Sequence, residues 1–235
     1  MEPKWLEWGQ KLQAIAQNGL TYSEGVYDIE RYKQLRAIAA EIMATYANVE
    51  HSYILDLFSQ ETGYATPKVD VRAAVFQDDT ILLVKERSDG GWTLPDGWAD
   101  VGDTPSQVAV REVAEESGYQ VRPLKILAVY DRQRQGHPPL PFYTYKLFFH
   151  CELIGGSPSP SIETEEVGFF GEDSIPELSL GRVTRAQITR LFQHYRQPDL
   201  QKITDRRKAP RLQTRDVSPT FNLLNVFFGF WQAIQ

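Results

Sequence analysis

An α/β fold preceded by a small helical unit is predicted by three observations. Residues 4 to 18 and 28 to 46 place apolar residues at helical spacing. From residue 69 onward, runs rich in Val, Ile, Phe and Tyr alternate with turn residues, as strands do. Between two such runs lies a single amphipathic helix, residues 104 to 118, with start and stop signals at both ends. At 235 residues there is room for one domain and a smaller accessory unit, divided here as 1–66, 67–197 and 198–235.

Trp5, Trp8, Leu12, Ile15 and Ala16 define the first helix, with Gly19 expected at its C-terminus. Asp28 is expected to cap the second, whose stripe runs through Ile29, Tyr32, Leu35, Ile38, Ala39, Ile42, Met43 and Tyr46. A third, weaker helix follows around Tyr53 to Gln60, and residues 61 to 67 read as a linker. Two amphipathic helices of this length bury little alone, so a homodimer through them is expected. Val69 to Phe76 and Ile81 to Lys85 flank Gln-Asp-Asp-Thr as a hairpin. Val121 to Asp131 and Phe142 to Leu153 are long strands, and the cations and prolines between them, Arg132 to Pro139, suit a loop reaching over a ligand. A last helix, Arg185 to Tyr195, follows Leu178-Ser-Leu-Gly-Arg-Val-Thr184.

Composition is that of a folded protein, with 42% hydrophobic and 24% charged residues. A net charge of −6 argues against a general nucleic-acid-binding surface. The one cysteine, Cys151, lies in an apolar strand pattern and reads as a core thiol of a reducing compartment. The first residues lack the basic and apolar regions of a signal peptide, so a cytoplasmic location is expected. Residues 199 to 215 hold six Lys or Arg against two Asp, and a segment from Phe221 to Ile234 is strongly apolar but too short to span a bilayer. The basic run reads as a solvated linker ahead of a phosphate-binding role, and the apolar segment as a docking helix ahead of a peripheral membrane contact.

The chemistry is concentrated in residues 97 to 119. Thr104 with Gln107 forms a capping box, Pro105 sits at the first helical position, and Gly118 suits the left-handed C-terminal position. At 100° per residue, Val110, Val113, Ala114 and Ser117 share one face and Glu112, Glu115 and Glu116 another. Such an acidic face is either a solvated surface or a set of hard oxygen ligands suited to Mg²⁺ or Mn²⁺.

This stretch resembles the Nudix box, G-x5-E-x7-R-E-U-x-E-E-x-G-U with U apolar or aromatic. Gly97, Arg111, Glu112, Val113, Glu115, Glu116, Gly118 and Tyr119 match it, and Asp103 replaces the box glutamate. Relatives usually show Pro-Gly-Gly where this chain has Pro95-Asp96-Gly97, a second departure that places a carboxylate beside the presumed site. The resemblance implies a mixed-sheet α/β/α sandwich and hydrolysis of a diphosphate linked to a nucleoside, with water attacking phosphorus. It implies that Glu112 and Glu116 are the main metal ligands, with Gly97 among the metal-binding positions. Glu115 is then a further ligand or the water-activating base, and Arg111 orients a glutamate by a charge-assisted pair. In relatives a glutamate of a later loop also serves as base or ligand, and Glu163 and Glu166 are the candidates here. Arg132, His137, Trp98 and Tyr143 are the expected substrate contacts. The chain from residue 4 to 196 resembles a bacterial subgroup labelled ADP-ribose pyrophosphatase, some of whose members cleave CDP-choline. Trimming of RNA ends and a catalytically silent ligand-sensing regulator are the alternatives; the intact Glu112, Glu115 and Glu116 favour an enzyme.

Overall fold

The computed structural model describes residues 3–201 and 203–204, and these fall into two compact units. The basic run is described only at 199–201 and 203–204, and the apolar C-terminal segment lies outside the described residues altogether. No helix among the described residues is long and apolar enough to cross a membrane.

The first unit comprises residues up to Lys68 together with Pro139–Tyr143. It holds α1 (Lys4–Tyr22), α2 (Val26–Ala47) and α3 (His51–Gln60). The first helix does not stop at Gly19. It runs on to Tyr22, and Gly19 is small for another reason: a Cβ there would lie 2.3 Å from the Tyr32 ring of α2. Asp28 is not the cap of α2 either, because the helix begins two residues earlier behind Gly25. The buried face of α1 is Leu6, Gly9, Gln10, Gln13, Ala16 and Gln17, while Trp8 and Ile15 of the expected stripe are more than half exposed. The three glutamines reach backbone carbonyls: Gln10 to Leu140, Gln13 to Phe58, and Gln17 to Thr62 and Gly63. They satisfy chain that forms no ladder of its own.

The second unit is built on a mixed sheet in the order β3-β2-β1-β6-β5-β8, with β4 also pairing β1 and β7 also pairing β2. Its strands are β1 (Lys68–Gln77), β2 (Thr80–Glu86), β3 (Trp92–Thr93), β4 (Asp96–Trp98), β5 (Tyr119–Asp131), β6 (Thr144–Gly156), β7 (Thr164–Gly171) and β8 (Ile203–Thr204). The β1–β2 hairpin turns on Asp78 and Asp79, both with positive φ (48° and 57°), as a two-residue hairpin turn requires. Phe142 and Tyr143 are not part of β6, which begins at Thr144; they belong to the helical unit.

Strand β1 is buried on both faces, and its period of two divides the core. Val71, Ala73 and Val75 pack with Val108, Ala109 and Val113 of α4 (Pro105–Ser117). Ala74 and Phe76 pack with Ile188, Leu191 and Phe192 of α5 (Arg185–Arg196). The result is the α/β/α sandwich. Both helices start from capping boxes, Thr104 with Gln107 and Thr184 with Gln187.

The segment before α5 is fastened to β3. Ser179 N–H donates to Trp92 O, Trp92 N–H to Glu177 O, and Ser179 Oγ to Asp89, the last at 2.7 Å. Gly91 makes this approach possible, since a Cβ there would lie 2.5 Å from Ser179 N. Backbone on backbone cannot yield as a flexible side chain can. Gly91→Ala is therefore expected to destabilise the protein by about 1–3 kcal/mol, measured by urea unfolding. An unchanged midpoint would show that the segment is not held by this contact.

Candidate active site

The buried face of α4 is Val108, Ala109, Glu112, Val113, Glu116 and Ser117. It is turned by roughly a quarter of the helix from the face expected by apolarity. Ala114 is exposed, and two of the three glutamates face inward. Burying carboxylates is unfavourable without compensation, so each has a fixed partner. Glu112 Oε1 lies 2.7 Å from Arg111 Nη1, and Glu116 Oε2 accepts the Asp96 N–H at 3.1 Å. Glu116 is held from behind as well, because Thr164 Oγ1 donates to its backbone carbonyl. Gly97 is required by the same packing: a Cβ there would lie 2.1 Å from Glu112 Oε1. Arg111 also donates to Trp98 O, tying α4 to β4, and lies 3.4 Å from Glu115 and 3.6 Å from Asp103.

These groups line a cavity of about 490 Å³. It gathers Gly97, Trp98, Arg111, Glu112, Glu115, Glu116 and Glu163, all expected from the sequence, together with Asp70, Asp96, Asp100, Ser161, Ile162 and Arg182. Four expected residues are not brought there. Glu166 pairs across the β2–β7 ladder with Lys85, 2.8 Å away. Arg132 is buried and donates to Pro138 O in its own loop and to Gly181 O in the segment before α5. His137 Nδ1 lies 2.8 Å from Leu180 O. Burial, with the Lys146 and Arg132 cations, pushes the His137 pKa down to about 2, so the ring is neutral and donates that proton. Tyr143 belongs to the helical unit.

Asp96 is neither a free carboxylate nor turned to solvent. Arg72 grips it at both oxygens, 2.9 and 2.7 Å, and Arg182 approaches at 3.5 Å. Arg182 also meets Glu86 at 3.0 Å, and Arg72 and Lys146 both bind Asp70 Oδ2, at 2.9 and 2.7 Å. This buried charge network is absent from the sequence reading. Asp70 and Arg72 inside an apolar strand were a visible signal, whereas nothing local connects Glu86 with Arg182.

Asp70 and Asp96 are held by Arg72 and Lys146 from behind, but the other acids of the cavity, Asp100, Glu112, Glu115, Glu116 and Glu163, outnumber the two cations that line it among the described residues, Arg111 and Arg182. Burial first, then repulsion from Asp96, Glu115 and Glu163, pushes Glu112 up to about 7 against the pull of Arg111. Glu116 lies well above the ordinary value for the same reason, burial followed by Asp96 and Glu86. Burial likewise carries Glu86 up to about 7. A hard divalent cation fits this donor set, since it would relieve the repulsion that the two guanidiniums leave. Among the described residues no three His, Cys, Asp or Glu side chains are already arranged to hold one.

Residues 3–58 match a family model described as a UDP-X-like N-terminal oligomerisation domain, and residues 66–192 match the NUDIX domain. The chain is 45% identical over 205 residues to "Putative ADP-ribose pyrophosphatase YjhB" of Bacillus subtilis, across 87% of this chain and 99% of that protein. Its fold resembles the crystal structure of a UDP-X diphosphatase, with a TM-score of 0.57 and 30% identity over 87% of this chain and all of that one. It also resembles an ADP-ribose pyrophosphatase from Streptococcus suis, with a TM-score of 0.55 and 39% identity over 60% of this chain and all of that one.

The raised carboxylates set a pH dependence. In the folded protein Glu86 and Glu112 keep a proton up to about 7, and Glu116 beyond its ordinary 4.5, whereas the unfolded chain releases all three near 4.5. Their contribution to stability is complete below 4.5 and is lost as the pH rises through about 7. In chelator, the melting temperature should fall across that window, less steeply in Glu112→Gln, and added Mg²⁺ should oppose the fall. A melting temperature that is flat from pH 4.5 to 7 in chelator would contradict this account.

Proposed function

Because the chain belongs to the Nudix family, we propose that its cavity hydrolyses the diphosphate of a nucleoside diphosphate joined to a second moiety, in a cytoplasmic enzyme that requires Mg²⁺ or Mn²⁺. The observation that carries this is the convergence of Glu112, Glu115, Glu116 and Glu163 on one cavity beside Arg111 and Gly97. Glu112 and Glu116 would hold the cation, with Glu115 and the Gly97 backbone at its edge. A bound divalent cation screens the diphosphate and polarises its phosphoryl oxygens. Arg111 keeps the Glu112 carboxylate in place. Glu163, on the loop ahead of β7 and free of the Arg111 cluster that engages Glu115, accepts the proton of the attacking water at its carboxylate. The oxygen of that water bonds to phosphorus as the anhydride bond breaks.

CDP-choline and ADP-ribose are the two substrates to compare. The names of relatives support ADP-ribose, and the surplus of carboxylates around the cavity supports a cationic alcohol such as choline. A homodimer through the helical unit accompanies this reading. Its support is the exposed apolar surface of α1 and α2, namely Trp8, Ile15, Ile38 and Tyr46, each about half exposed or more.

Glu116→Gln should lower kcat by roughly a hundredfold or more, because an amide cannot replace a charged ligand, while the protein stays folded. Glu163→Gln should lower kcat with little change in KM. Turnover near normal in a folded Glu116→Gln protein would end the metal-site assignment. Comparing kcat/KM for CDP-choline and ADP-ribose identifies the better substrate. For the assembly, light scattering of the full chain at micromolar concentration should give twice the chain mass. A monomer there would exclude the dimer.

A further inference from the structure

Among the described residues, Asp70 is the cavity-lining carboxylate that has a buried oxygen without a hydrogen-bond partner. It is only 3% exposed, and Oδ2 takes both Arg72 Nη2 and Lys146 Nζ. Oδ1 is buried and has no hydrogen-bond partner. A buried acceptor left unmade is unfavourable by about 1–3 kcal/mol, more for a charged group, so the arrangement calls for a donor. None of the described residues supplies one, and Asp70 borders the cavity. What the cavity binds is the nearest source of that donor.

The chemistry of that donor is restricted. Burial disfavours the charge on Asp70, yet Arg72 and Lys146 outweigh this and hold it below the usual carboxylate range. An ionised carboxylate only accepts, so its partner must bring the proton. A metal ion is disfavoured, because the Arg72 guanidinium, 2.9 Å from Oδ2, would repel it, and Lys146, which burial and Arg72 push down to about 7, already donates to the same oxygen. A neutral hydroxyl meets both conditions and gains a charge-assisted bond. Trp98, the cross-strand neighbour of Asp70 in the β1–β4 pair, lines the same cavity, so this carboxylate lies beside an aromatic residue able to meet a base.

We propose that Asp70 is a specificity-determining residue that accepts a hydrogen bond from a ribose hydroxyl of the bound nucleotide, backed by Arg72 and Lys146. This rests on the reading of the cavity as a nucleoside diphosphate site. It assigns to a strand residue outside the acidic helix the recognition of sugar rather than phosphate. Lys146 and Arg72 act through Asp70, as positioning residues.

The test is calorimetric binding of ADP and CDP, and of their 2′-deoxy and 3′-deoxy forms, to the full-length protein in Mg²⁺. Removal of one of the two hydroxyls should weaken binding by about tenfold or more. In Asp70→Ala combined with Lys146→Met, which removes the buried pair together and leaves no orphaned ammonium, the same comparison should give less than about a twofold difference. Circular dichroism confirms that the double variant is folded, and the comparison on the natural protein needs no variant at all. Deoxy and ribo forms binding the natural protein within about twofold overturn the proposal, as does a folded double variant that discriminates as well as the natural protein. Cleavage of nucleoside diphosphate derivatives without any hydroxyl dependence sinks this inference alone. Hydroxyl-dependent binding without cleavage of any such derivative sinks the hydrolase reading and leaves Asp70 in its role.

Discussion

Everything in the catalytic unit is arranged around two carboxylates that water would hold more favourably. Glu112 and Glu116 are turned into the protein by α4, and burial raises the pKa of both above the ordinary value. The surroundings are fitted to that burial. Gly97 gives up its side chain to make room, Arg111 bonds one carboxylate, and the Asp96 amide holds the other. Asp96 can offer its amide in that position because Arg72 fixes its side chain from beneath the strand. A helix that buried only apolar residues would pack more easily, but it would have nothing with which to attract a cation.

The same logic explains why β1 serves two cores and a site at once. Its odd-numbered residues pack on α4 and its even-numbered ones face α5, until the even row changes from Ala74 and Phe76 to Arg72 and Asp70 near the cavity. The apolar core gives way to a buried ionic one within a single strand. Removing one partner from such a cluster leaves a buried charge without compensation, which typically destabilises by about 3–5 kcal/mol. The network thus links the stability of the sheet to the geometry of the cavity.

Where signals are local, the sequence was readable. The capping box at Thr104 and the stop at Gly118 bounded α4 where the structure has it, and the cavity gathers Gly97, Arg111, Glu112, Glu115 and Glu116 of the box. The helix face was misjudged because apolarity is the usual guide to burial, and this helix buries acids. Gly19 shows the converse limit: a glycine that looks like a helix end is a packing contact with Tyr32, a partner thirteen residues away. Arg132 and His137 look like ligand-binding cations in a loop, yet their hydrogen bonds go to the carbonyls of Pro138, Gly181 and Leu180. Arg182 could not have been found at all, since its meaning lies in Glu86 and Asp96, far away along the chain.

The glutamine row of α1 has a different physical character from the charged catalytic floor. Gln10, Gln13 and Gln17 hold their carbonyls with neutral amides, which neither titrate nor attract counterions. Ionic strength weakens exposed charge pairs but leaves such bonds unaltered. The clasp of the helical unit therefore rests on groups that acid does not titrate and salt does not screen, unlike the carboxylates that line the cavity.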